Sequence, residues 1–432
     1  TAQVTARAAA PLSLLPIQRP GAAEQNPLDW ISAVERALGE LAAAGALAQV
    51  RGIGVSGQQH GCVVLDSADQ PIRAAKLWCD TECAVEATEI SAQTGRAVPS
   101  GFTAPKLLWL KRHEPQHFAR IRAVLLPHDF INLWLTGRKA TDHGDASGTG
   151  YYDPIARDWQ VPNGAEWLER AWLPPLLRPA EPLGALRPAL ARRFGWNEPV
   201  IVSAGSGDNM MSALGAGAVT EGVLVCSLGT SGTLFGPAAA CPRDPAGLVA
   251  PFCDATGQWL PLWCTMNCTT PAEEVRAAFG LDHAALTALA GQIPSGSGGL
   301  QFLPYLSGER APNWPHARGV LHGLTPGALR PGPLYRAALE GAAFALRLGM
   351  EHMPFAAREL RVVGGGASNP LWRRILADIF GATLRFPAEA ETAALGAALQ
   401  AAACANGAEI AAFVRQHHPA LESRGLHHLP ER

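Results

Sequence analysis

The sequence predicts an α/β protein of two domains, and three observations carry that prediction. Its 432 residues exceed what one hydrophobic core usually serves. Short apolar runs that read as strands alternate with helical patterns along the chain, as in an α/β fold. Glycine-rich turns at 205–207, 229–232 and 364–366 each follow an apolar strand.

Composition bounds the function. Hydrophobic residues make up 48 % and charged residues 17 %, the balance of a globular chain rather than a disordered one. A net charge of −2 and only four lysines (Lys76, Lys106, Lys111, Lys139) leave no basic field for nucleic acid or an anionic membrane. The nine cysteines have no framework spacing. Neither Cys79/Cys83 nor Cys264/Cys268 has the partners of a tetrahedral zinc site, so reduced thiols in a cytoplasmic protein are expected. Residues 222–241 are broken by Gly, Ser and Thr, and residues 392–408 are mostly alanine, so neither run reads as a membrane span. The start, TAQVTARAAAPLSLL, lacks the basic lead and apolar stretch of a signal peptide.

Taken in order, residues 1–15 read as a strand leading into a loop rich in Pro and Gly. Asn26-Pro27 supplies a cap and a proline at the first helical position. Leu28, Ile31, Val34, Leu38 and Leu41 recur at helical spacing, and Gly45 ends that helix. VRGIGV (50–55) is a buried strand, followed by the loop SGQQHG (56–61) and the strand CVVLD. Gln58, Gln59 and His60 therefore stand at a strand end, where α/β proteins bind ligands; a hydrogen-bonded turn would have the same residues. Pro105 starts a helix through Lys106 and Trp109, 121–126 reads as a strand, and Pro127 begins a helix that stops at Gly137. TDHGDASGTG (141–150) reads as a polar loop, as a plain surface loop first and a ligand contact second, and a Pro-rich tract at 174–187 leads to the strand 199–204.

The glycine turns carry the chemistry. In IVSAGSGDNMMSALGAG (201–217) small residues let backbone approach a ligand, and Asp208 falls at a helix start that favours negative charge. Asp208 is either a helix cap or a catalytic base. In GVLVCSLGTSGTLF (222–235), Gly229-Thr230-Ser231-Gly232 join two strands, either as a concave anion cradle or as an ordinary hairpin turn. Gly364-Gly365-Gly366 follows an apolar strand and precedes a helix near Asn369 to Ile379, an arrangement compatible with a nucleotide. Glu309-Arg310, within FLPYLSGERAPNW (302–314), is either a structural ion pair or a substrate contact. The absence of G-x-x-x-x-G-K-[ST] and of G-x-S-x-G excludes a P-loop NTPase and an α/β-hydrolase. Together the aspartate and the two further turns suit phosphoryl transfer to an alcohol. There a carboxylate takes the proton, and the rest is positioning and charge neutralisation.

The ordered motifs SGQQHG (56–61), GFTAPKLLWLKRHEP (101–115), GDN (207–209), SLGTSG (227–232), FLPYLSGERAP (302–312) and GGGASNPLWRRILAD (364–378) resemble the FGGY carbohydrate kinase family. The resemblance spans nearly the whole chain. It implies two ribonuclease-H-like (sugar kinase/actin-like ATPase) domains around a cleft, with residues 1–217 binding sugar and 218–432 binding nucleotide. It implies ATP and Mg2+, and a small-molecule sugar as acceptor: D-xylulose first, with gluconate, ribulose or another polyol as alternatives. It leaves room for a homodimer. On this resemblance Asp208 corresponds to the catalytic base and Asn209 to a sugar contact. Gln59 and His60 match a sugar-holding pair whose first position is usually Met. Gly229, Thr230 and Ser231 correspond to a phosphate loop, and Gly365, Gly366 and Asn369 to the adenosine motif. The family opens with a strand carrying Asp-x-Gly-Thr, whose Asp helps hold magnesium. No such motif precedes residue 56 here, and the first residues resemble the strand that follows it. The sequence is read either as lacking that first segment or as naturally without it, and no protein ligand to the metal is assigned. The reading from another class is a non-catalytic nucleotide-binding relative, against which the intact GDN and both other turns stand.

Overall fold

In the computed structural model, which describes residues 2–418 except Arg243 and Pro245, the first helix runs Pro27–Ala43. The Asn26 side chain accepts from Leu28 N at 3.1 Å, and Pro27 occupies the first turn. Residues 2–15 form no strand. Ala2 N bonds His417 O and Leu15 N bonds Glu24 O, and no neighbouring strand offers a ladder to the segment.

The described residues form two units. One comprises 2–217, 252–258 and 391–418; the other comprises 218–251 and 259–390. Residues 391–418, expected in the C-terminal domain, thus belong to the first unit, and 252–258 join them. Residues 419–432 of that expected domain lie outside the described residues.

In the first unit, strands Pro182–Ala185, Ile201–Ser203 and Gly52–Ile53 lie side by side in that order, the last two parallel. After a break the same two segments pair again, Ser56–Gly57 with Ser206–Gly207, also in parallel. Gly205 turns the chain at the break with φ +72°. Buried Gln400 mends it, its Oε1 accepting from Ser203 Oγ and Gly205 N at 2.9 Å each. Gln400 rides on the helix Thr392–Ala405, whose small residues admit backbone contact. A Cβ on Gly396 would lie 1.8 Å from Met211 O of the helix Asp208–Gly215, and one on Gly54 would lie 2.0 Å from Ala397 O. Residues 141–150 are not the expected surface loop. Thr141–Asp142 is a short strand and His143–Ala146 a short helix, with Asp142, Asp145 and Thr149 buried. Their polarity is consumed internally: Asp142 accepts from Gly144 N, Asp145 N and Ser206 Oγ, and Asp145 bonds His128.

In the second unit, five strands of a six-stranded sheet run in the order Trp259–Thr265, Gly232–Phe235, Val223–Leu228, Glu359–Val363, Thr383–Arg385. Val223–Leu228 and Gly232–Phe235 form the expected hairpin, while Val223–Leu228, Glu359–Val363 and Thr383–Arg385 are parallel neighbours. The helix Pro331–Glu351 packs on this sheet; its Gly349 sits where a Cβ would reach 2.4 Å from the buried Trp263 ring. All nine cysteines are free thiols. Among the described residues no single helix is long and apolar enough to cross a membrane.

Candidate active site

The paired segments of the first unit bring its candidate residues together. Register matches Ser56 with Ser206 and Gly57 with Gly207. Gln59 and Asn209, each two residues further on, therefore meet, and Asn209 Nδ2 donates to Gln59 Oε1 at 2.6 Å. Gly207 makes room for this, because a Cβ there would stand 2.5 Å from Gln59 Cγ. Gln59 is buried, and its Nε2 finds no partner among the described residues, leaving a donor for a ligand hydroxyl.

Asp208 is the first residue of its helix, and Gly207 takes the N-cap position without a side-chain bond. The Asp208 carboxylate accepts from the adjacent Asn209 N at 2.9 Å and from Asn209 Nδ2 at 3.3 Å. It does not reach the amides further along the turn that a cap serves, so the capping role lapses. The side chain is exposed, yet the surrounding protein impairs its hydration. That loss of hydration pushes its pKa from 3.8 up to about 6, opposed by the Asn209 amide.

His60 lies beside this pair with its ring buried among Phe102 and Phe252, at centroid distances of 4.8 and 5.6 Å. The 141–150 segment contributes here too: a Cβ on Gly148 would come within 1.8 Å of the His60 ring.

In the second unit the remaining turns lie at one end of two neighbouring strands inside the sheet. Val223–Leu228 and Glu359–Val363 are parallel neighbours with Ser227 opposite Val363, so Gly229 and Gly364 leave the sheet at the same end. Gly364 has φ +87°, and a Cβ there would stand 2.8 Å from Leu228 O. Gly365 is exposed with nothing within 4 Å of its Cβ position, so its backbone is open to a ligand. Gly229 and Thr230 carbonyls accept from Thr269 N at 3.1 Å and Cys268 N at 2.9 Å, which fixes the turn while Thr230 stays exposed. Asn369 is placed as a helix cap. Its Oδ1 accepts from Leu371 N and Trp372 N, and its Nδ2 donates to Thr287 Oγ1 and Tyr335 OH. Buried Glu309 is an anchor for backbone: it accepts from Met266 N at 2.6 Å and Arg310 N at 2.8 Å.

Residues 1–215 match the N-terminal domain of the FGGY family of carbohydrate kinases, and residues 224–405 match its C-terminal domain. The chain belongs to the FGGY family of carbohydrate kinases. It is a sugar kinase with the two-domain fold of that family. A xylulose kinase of Haemophilus influenzae is 40 % identical over 408 residues, covering 89 % of this chain and 83 % of the relative. A xyloylose kinase from Brucella ovis is similar in structure with a TM-score of 0.88 at 37 % identity, over 93 % of this chain and 86 % of that one. For xylulose kinase from Bifidobacterium adolescentis the TM-score is 0.79 at 30 % identity, over 89 % and 86 %.

For an FGGY kinase, sequence reasoning passed over the polar residues that support the site. Lys106 and Thr103 both bond the His60 carbonyl, and Ser206 ties the Asp208 segment to Asp142. The available signal was a lysine inside the apolar run TAPKLLWL in a chain with four lysines.

Proposed function

We propose that this kinase transfers the γ-phosphate of Mg-ATP to the C5 hydroxyl of D-xylulose, giving D-xylulose 5-phosphate. The observation that carries the reading is Asp208, an exposed carboxylate whose neighbour Asn209 pairs with Gln59, itself holding a spare buried donor. The names of the relatives supply the choice of sugar. In this mechanism Gln59, His60 and Asn209 orient the ketose. Asp208 then accepts the proton of the attacking hydroxyl as its oxygen bonds to phosphorus, and ADP leaves. The turns at Gly229–Ser231 and Gly365–Gly366 present backbone to the nucleotide.

Magnesium enters as part of the Mg-ATP substrate. The carboxylates of Glu24, Asp80 and Glu82 lie close enough together to hold an ion, but the Lys76 ammonium already stands 3.5, 3.0 and 2.6 Å from them. That cluster does not fit a metal, and no step runs through it.

A panel of ketoses, aldoses and polyols tests the assignment, with D-xylulose expected to give the highest kcat/KM. Glycerol, gluconate or L-ribulose outrunning it by about tenfold would sink the sugar assignment and leave the kinase reading intact.

A further inference from the structure

Lys106 is an unusually placed cation. It lies within the helix Thr103–His113, is 0 % exposed, and has no ion pair among the described residues. Lys76, equally buried, has Asp80 and Glu82 within 3.0 Å. A buried ammonium without a counter-ion carries a large desolvation cost, and burial accordingly pulls the Lys106 pKa down from 10.5 to about 8. What Lys106 holds instead is a pair of backbone carbonyls, His60 O at 2.8 Å and Gly101 O. Thr103 Oγ1 donates to the same His60 carbonyl at 3.3 Å. Gly101 is itself pinned, since a Cβ there would lie 2.6 Å from Trp78 O.

His60 has need of such a restraint. Its φ is +65°, left-handed backbone that residues with a Cβ adopt reluctantly. The ring is held by Phe102, Phe252 and the bare backbone of Gly148. The His60 carbonyl sets the orientation of the peptide that follows, and it is the atom Lys106 and Thr103 grip. Released, the peptide could turn about ψ of His60, and the turn that places Gln59 and His60 would loosen.

We propose that Lys106, assisted by Thr103, is a positioning residue for the acceptor sugar: by locking the His60 carbonyl it holds Gln59 and His60 in the left-handed turn that presents them to substrate. The proposal rests on the reading of Gln59 and His60 as the sugar-holding pair.

The test is steady-state kinetics and thermal melting of full-length H60A, T103V, K106M and T103V/K106M. The sugar KM should rise about three- to tenfold in T103V and about ten- to a hundredfold in K106M, with the KM for ATP unchanged. The double variant should fall short of the product of the two, because both donors act on one oxygen. If K106M does not fold, T103V, which removes one hydroxyl, carries the test alone. H60A with a parental sugar KM would overturn the reading beneath the proposal. H60A with a raised sugar KM, beside T103V and K106M with parental values, would overturn the proposal itself. So would variants that melt early and lose kcat with both KM values unchanged, since that is the pattern of a residue serving only stability.

Discussion

Replacing Asp208 by Asn keeps the shape of the side chain and removes its capacity to accept a proton. As general base, Asp208 should lose about 10²–10⁴-fold in kcat in D208N, with sugar and ATP KM little changed. Stability should move by less than about 1 kcal/mol, because Gly207 holds the cap position and Asp208 bonds only its neighbour. D208N that melts early yet turns over at the parental rate would return Asp208 to a capping role. Its pKa adds an independent prediction. A general base works deprotonated, so kcat/KM, which reports the free enzyme, should rise with pH through about 6 and level off above it. An acid limb centred near 4, the ordinary carboxylate range, would contradict the impaired hydration of Asp208. For stability the sign is opposite. A carboxyl with a raised folded pKa favours the fold below 3.8, and that contribution is lost as pH rises through about 6. At this scale the position of Gln59 at a strand end was legible, while its meeting with Asn209 was not, because it depends on the pairing of two segments about 150 residues apart. The placement of Asn369 was missed as well. Asn369-Pro370 caps a helix just as Asn26-Pro27 does, a likeness masked by its glycine-rich setting.

Among the elements, the crossing of Asp208–Gly215 with Thr392–Ala405 leaves no slack. The Cβ of G396A would stand 1.8 Å from Met211 O, a backbone atom that cannot swing aside, so the helix bearing Asp208 must shift. G396A should destabilise the protein by about 3 kcal/mol and raise the sugar KM, read by denaturant titration and kinetics. A variant as stable as the parent would show that the two helices separate freely. This crossing also explains a motif that could mislead. Gly52-Ile53-Gly54-Val55-Ser56-Gly57 has the spacing G-x-G-x-x-G, yet Gly54 faces Ala397 and Gly57 faces the backbone of His128. Its glycines make room for protein, not for a pyrophosphate. Proline starts, glycine stops and the 223–235 hairpin were legible because their signals are local. The burial of 141–150 was not, since its partners, His128 and Ser206, lie far away in sequence.

At the scale of the molecule, the chain order hides how the first unit is completed. Reading along the sequence, a single boundary near Gly217 is the natural division, and an alanine-rich run near the C-terminus is assigned to whatever precedes it. The run instead supplies the first unit with a thin helix whose small side chains admit close backbone packing, and with Gln400, which closes a gap in the strands that carry Asp208 and Gln59. Q400L tests this dependence. Leucine fills a similar volume but leaves the buried Gly205 amide without its acceptor, at about 1–3 kcal/mol, and the Ser203 hydroxyl with only the longer bond to Ile53 O at 3.5 Å. The loss should be local to the first unit. Amide hydrogen exchange is expected to quicken in residues 52–57 and 201–215, while strands Val223–Leu228 and Glu359–Val363 keep their parental rates. Sugar binding should weaken with it, because the paired strands set the distance between Gln59 and Asn209. Equal acceleration in both units, or none in either, would mean that Gln400 does not carry the continuity of those strands.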